Sequence, residues 1–273
     1  MLALRESVRI IFRCTALLLV AYAINAQVPT ADLPRGLSAA AADPALTKES
    51  ATIVSIYANG EIYLGRTVTP KSQLGARVAD SVRQSTDSNQ IVYIAASASI
   101  NYKAVVEILG IIREQELNRI GLVVNRTVSN DFQGTFLIEL PMTRKEGEDI
   151  SSLKPNPLTL VTSISHDLTL TLNHDSGPRR HQLCFQSVPN GVGADPSRLE
   201  KWLECLFLYR GRQHAYRIGM ETRNDVPLVQ RIEKTVFVRA PLSIKYNEVL
   251  RVINAIKGAG ADPIGLQIDD LPE

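Results

Sequence analysis

Apolar residues recur along this chain in two spacings, and one arrangement of them is used twice. "VYIAA" (92–96) and "VFVRA" (236–240) are short continuous apolar runs of the kind that form buried strands. After each comes a stretch of helical period. Val105, Ile108, Leu109 and Ile112 fall at i, i+3, i+4 and i+7, and Val249, Val252, Ile253 and Ile256 repeat the stripe. "IGLVV" and "IGLQI" then supply a closing strand. The spacing predicts a strand–helix–strand unit whose two strands run parallel through a right-handed crossover. The second helix ends in "KGAG", where glycine permits a left-handed cap; the first has "REQEL" there, so its helix is expected to run further.

The two copies align without a gap at an offset of 144 positions, from Ile91–Asn125 onto Thr235–Asp269. Ten of the thirty-five pairs are identical, including Ile100/Ile244, Tyr102/Tyr246 and the Ile-Gly-Leu triplets, so an internal duplication is the expectation. "SINYKAVVEIL" and "SIKYNEVLRVI" lie at its centre. A tyrosine opening an amphipathic helix ordinarily packs its ring and leaves its hydroxyl in water.

Upstream the match is looser. "TIVSIYANGEIYLG" alternates on both sides of Asn59-Gly60, a strong hairpin signal, and "LTLVTSISHDLTLTLN" does so around His166-Asp167. A helix follows each hairpin, carried by Leu74, Val78 and Val82 in one and by Leu199, Leu203 and Leu206 in the other. The predicted fold class is α+β: two tandem small domains, each β-hairpin–α–β–α–β, preceded by a signal or anchor segment. Boundaries fall at 1–26 for that segment, 27–127 for the first repeat and 128–273 for the second. The second repeat adds two long connections, after its hairpin and before its second strand, and function tends to lodge in such insertions.

The N-terminus changes the picture of location. Arg5, Arg9 and Arg13 precede the uncharged run "CTALLLVAYAINA", which suits the apolar region of a signal peptide with Ala21-Tyr22-Ala23 as cleavage site. An uncleaved anchor from about Val8 fits the same residues. Either reading keeps the basic flank inside and exports the rest. Cys184 and Cys205 fit an oxidising compartment as a disulfide, and Cys205 fits equally as a buried thiol. A net charge of +2 with no Lys/Arg block argues against a nucleic-acid partner.

Candidate chemistry is sparse. "SSLK" (151–154) lacks the companion motifs of a Ser–Lys acylase, and His166, His174, His181 and His214 have no zinc-site spacing. No phosphate loop, dinucleotide fingerprint or nucleophile elbow is present. No enzyme, cofactor or metal site is expected. Arg179-Arg180-His181 is read as a solvated loop tip.

An acidic-Leu-Pro element, a hairpin around "NG", a helix, and then strand, helix and "IGL" strand resemble the ExbD/TolR family. Those proteins are single-span subunits of proton-driven envelope motors. The resemblance covers most of 27–127 and again 137–273. It implies a small α+β periplasmic domain that dimerises, with its one membrane helix packed inside an ExbB/TolQ-type polytopic subunit. Asp32, Leu33 and Pro34, with Glu139, Leu140 and Pro141, match the family's acidic-Leu-Pro element and are the expected partner-docking strands. A TonB-like transducer is a further expected partner, with a homo-oligomer or an intrachain pairing of the repeats. Two departures stand out. Ile10–Ala26 contains no acid to relay protons, and the acid usual after the strand alanine is Ser97 in one repeat and Pro241 in the other. The relay is therefore not carried over. The expected function is an exported, non-catalytic accessory of an envelope transport or energy-transducing complex. The alternative is a soluble periplasmic module binding a peptide or cell-wall ligand.

Overall fold

The computed structural model describes residues 41–42, 46, 51–85, 90–125, 133–141, 156–173, 184 and 193–273. The first 40 residues, with the expected signal or anchor segment, lie outside that set. Among the described residues no helix is long and apolar enough to cross a membrane.

The first unit contains β2 (Thr52–Ile56), β3 (Ile62–Leu64), β4 (Thr67–Val68), α1 (Lys71–Gln84), β5 (Val92–Ala96), α2 (Tyr102–Arg113) and β6 (Arg119–Asn125). A two-residue strand, β1 (Ala41–Ala42), precedes it, and β7 (Gln133–Glu139) follows. The second unit contains β8 (Leu160–Ile164), β9 (Leu170–Asn173), α3 (Pro196–Arg212), the short α4 (Leu228–Arg231), β10 (Val236–Arg239), α5 (Tyr246–Gly258) and β11 (Ile264–Leu266). All eleven strands among the described residues join one mixed sheet in the order β4-β3-β2-β5-β6-β7-β11-β10-β8-β9, with β1 on the start of β7. Read outward from β7, the strands come in the same sequence on both sides: closing strand, middle strand, hairpin. The strands of each strand–helix–strand unit are parallel, as the spacing predicts. β7 runs antiparallel to β6 and parallel to β11.

The four longer helices share one face of the sheet. The predicted stripes of α1, α2, α3 and α5 are all buried and belong to a single hydrophobic cluster that crosses from one unit to the other. β2 and β5 are buried on their other face too. There Ile53, Ile91, Tyr93, Ala95 and Val123 cluster with Leu46, from the connector that precedes β2.

The repeated Ile-Gly-Leu glycines have a packing cause. Tyr93 on β5 stands opposite Gly121 on β6, and a Cβ at 121 would lie 2.5 Å from its ring. Phe237 and Gly265 repeat this 144 positions later, with the ring 2.3 Å from a notional Cβ. Each aromatic ring folds over a glycine on the neighbouring strand. Tyr93 is fully buried and cannot swing away, whereas Phe237 is half-buried. Gly121→Ala is therefore expected to cost about 1–3 kcal/mol by overpacking, and Gly265→Ala less. Urea midpoints of the two variants check the ranking, and an equal or inverted order refutes it.

The first amphipathic helix does not outrun the second. α2 stops at Arg113, and Glu116 takes φ +61° where its counterpart Gly260 has φ +84°. The hydrogen bonds match as well: Glu116 N donates to Arg113 O and Gly260 N to Lys257 O. The turn overrides the helix propensity of "REQEL" because it aims the chain at β6. Glu116→Gly is expected to stabilise by about 0.5–1 kcal/mol, since a left-handed non-glycine residue costs about 1–2 kcal/mol and glycine's extra entropy returns part of that. Thermal melts decide it; a lower midpoint refutes it.

Candidate interaction site

The opening segments of α2 and α5 meet each other. Neither N-cap residue, Asn101 or Lys245, caps its helix with its side chain. The first amides of a helix have no partner within it, and here the other unit supplies one. Tyr102 N donates to Ile244 O at 2.8 Å, Lys103 N to Leu242 O at 2.9 Å, and Tyr246 N to Ile100 O at 3.0 Å. Asn101 and Lys245 form an antiparallel bridge between them, and Lys245 Nζ donates to Asn101 Oδ1 at 3.2 Å. The repeated Ser-Ile-x-Tyr segment is thus a reciprocal cap, each copy closing the other's helix.

Behind this bridge Tyr102 and Tyr246 are wholly buried, which corrects the expectation of wet hydroxyls. Neither hydroxyl has a hydrogen-bond partner. Burial pushes both phenols well above their ordinary range, and Tyr246 adds to the rise at Tyr102. At the far end of α2, Arg113 grips Asp269 in the tail after β11 through two bonds of 2.5 and 2.6 Å. The guanidinium holds the Asp269 carboxyl below the usual carboxylate range. This pair spans the units but breaks the 144-residue symmetry, because the counterpart of Arg113 is Lys257. No repeat in the sequence could have announced it.

Of the expected docking residues, Asp32, Leu33 and Pro34 lie outside the described residues. Glu139 ends β7 with an exposed side chain, opposite Arg119 on one side and Gly265 on the other. Leu140 is buried and donates its amide to Asn118 O at 2.8 Å, and Pro141 is half-buried. This element lies at the seam, paired by its own chain. Cys184 and Cys205 are joined by a disulfide with their Cα atoms 5.9 Å apart. His166 sits at the β8–β9 turn and His214 stacks on Tyr216 at 5.8 Å, while His174 and His181 lie outside the described residues. Among the described residues no three metal-ligating side chains converge.

Beside the reciprocal cap a groove of about 420 Å³ opens between the β2–β3 turn and the start of α2. Its floor is aliphatic, with Ile56, Ile62 and Ile108 among its residues, and Lys71 and Lys245 stand on its rim. Sequence reasoning missed it, because Lys245 comes from the other unit.

What these features define is a one-sheet α+β protein whose most elaborate site is the seam where the starts of α2 and α5 meet. Compared with known proteins, residues 10–127 match the family model described as biopolymer transport protein ExbD/TolR. That match covers the first unit. No curated protein and no solved structure matches the chain.

Proposed function

We propose that this chain is an exported, non-catalytic accessory of a cell-envelope biopolymer-transport or energy-transducing complex. On this reading it is a tandem ExbD/TolR-like protein whose second unit takes the place of a dimer partner. The observation that carries the reading is the reciprocal cap, in which equivalent residues at a fixed offset complete each other's helices. The family match over 10–127 supports the transport role. The Cys184–Cys205 disulfide supports an oxidising compartment outside the cytoplasm. The partners on this reading are an ExbB/TolQ-type polytopic subunit and a TonB-like transducer, met through the seam. Domain limits of 27–127 and 128–273 follow from the repeat, with residues 1–26 as anchor or signal.

The test is the fate of the N-terminus. The full chain is expressed in a diderm bacterium, fractionated, and the intact mass of the exported product taken. A full-length product resisting alkaline extraction supports a membrane-held accessory. A soluble product starting just after Ala23 or Ala26 overturns it in favour of a periplasmic binding module. The tandem reading has its own readout: the exported part should be monomeric by light scattering, and an obligate two-chain dimer sinks it.

A further inference from the structure

We propose that the groove beside the β2–β3 turn binds an acidic, aliphatic segment of extended peptide, and that the equivalent place in the second unit has been closed. The two hairpins share a hydrogen-bond pattern at an offset of 108. Tyr57 N donates to Glu61 O, and Ser165 N to Thr169 O, both at 3.0 Å. Glu61 N donates to Asn59 Oδ1, and Thr169 N to Asp167 Oδ1, both at 3.1 Å. The turn residue with positive φ is Gly60 in the first hairpin, at +85°, and Leu168 in the second, at +63°. The pair equivalent to Asn59-Gly60 is thus Asp167-Leu168, one residue beyond the turn expected from the sequence.

That substitution decides which groove is open. Gly60 lines the first groove, and a Cβ placed there would meet nothing within 4 Å. Leu168 holds a backbone conformation that non-glycine residues disfavour, and its side chain packs onto the core. The mouth differs in the same sense. Ala58 and Ser99 both line the open groove, whereas their equivalents His166 and Ser243 hydrogen-bond to each other at 3.2 Å. In the second unit Leu168 and the His166–Ser243 bond thus stand at the positions where the first carries Gly60, Ala58 and Ser99.

The open groove selects its occupant by charge and shape. No carboxylate is among its lining residues, the Glu61 carboxylate beside it being taken by Asn59 Nδ2 at 2.9 Å, while two ammonium groups stand at its rim. Lys71 is paired with Glu107, but Lys245 bonds only the neutral Asn101 among the described residues. The first amides of α2 are not available to an anion, because Ile244 and Leu242 already occupy them. The volume falls within the about 300–1,000 Å³ of ligand clefts. An aliphatic floor beneath an unneutralised ammonium calls for an aliphatic side chain next to a carboxylate, and an extended acidic peptide presents both within adjacent residues.

The purified exported part of the chain, with both units, tests this without reference to the envelope reading, whose own test is membrane retention. The probe is fluorescein-labelled Asp-Leu-Asp-Leu-amide, followed by anisotropy against its Asn-Leu-Asn-Leu counterpart. Saturable binding of the acidic peptide is expected, weakened about tenfold or more by Gly60→Leu. The Leu168 turn demonstrates that this turn accommodates leucine, and circular dichroism verifies the fold. Lys245→Gln leaves the turn untouched and is expected to weaken binding about tenfold or more, the worth of one charge-assisted hydrogen bond. Absence of saturable binding up to about 1 mM overturns the proposal. So does equal binding of the asparagine peptide, or wild-type binding by Gly60→Leu. If octanoate binds and the peptide does not, the groove takes an aliphatic acid and the peptide assignment fails.

Discussion

Tyr102→Ala and Tyr246→Ala are each expected to destabilise the protein by about 3–5 kcal/mol, the usual cost of deleting a buried aromatic ring. Tyr102→Phe and Tyr246→Phe are expected to be neutral or stabilising. The difference follows from the burial of both side chains with unpaired hydroxyls. A buried polar atom without a partner costs about 1–3 kcal/mol, so phenylalanine keeps the packing and removes the penalty. Because both rings belong to the same buried cluster behind the cap, the double alanine variant should be non-additive. Urea unfolding of the four single variants and the double decides it. A loss on Tyr→Phe close to that on Tyr→Ala would mean that the hydroxyls are paired, and the packing argument would fail.

The same burial sets a pH dependence. In the unfolded chain these phenols ionise near pH 10, while in the folded chain they stay neutral beyond it. The folded state then holds more protons than the unfolded one, so stability falls as pH rises above about 10. Below that range the two groups contribute no slope. Melting temperature against pH should show a shallower alkaline fall in the double phenylalanine variant, and an unchanged fall refutes the link.

How far the sequence revealed the fold depended on which forces carry a residue signature. Helix stripes did, because burial imposes a 3.6-residue period: Val105, Ile108, Leu109 and Ile112 lie inward as their spacing requires. Asn59-Gly60 did, because a positive φ favours glycine. Leu168 and Glu116 did not, since both take left-handed backbone that their side chains disfavour, and surrounding structure holds them there. The reciprocal cap was legible only as a repeat. Its bonds run between backbone groups of Ile100, Tyr102, Lys103, Leu242, Ile244 and Tyr246, and backbone bonds leave almost no preference for residue type. The groove was hidden for a related reason: it needs Lys245 beside Asn59, and only the meeting of the units puts them together.

Arg210→Ala is the second variant expected to have a large effect, also about 3–5 kcal/mol, because it removes a buried charge from a network that stays behind. Arg210 lies near the end of α3, buried, and donates to the carbonyls of Glu233, at 2.8 Å, and of Leu158. It therefore ties the long connection before β10 to the entry of β8. Burial draws its guanidinium down to about 10, and the nearby Glu233 carboxylate opposes that fall. Glu233 is buried as well, and its oxygens accept from Asn156 Nδ2 at 2.9 Å and Thr235 N at 2.8 Å. Truncating Arg210 takes this donor from two carbonyls and removes a positive charge from the neighbourhood of the buried Glu233 carboxylate. Arg210→Met with Glu233→Gln removes both charges and should recover part of the loss, as replacement of buried ion pairs by neutral groups often does. Urea unfolding of the single and double variants measures the recovery. If Arg210→Ala costs under about 1 kcal/mol, water is reaching the site and the clamp is not what holds this insertion.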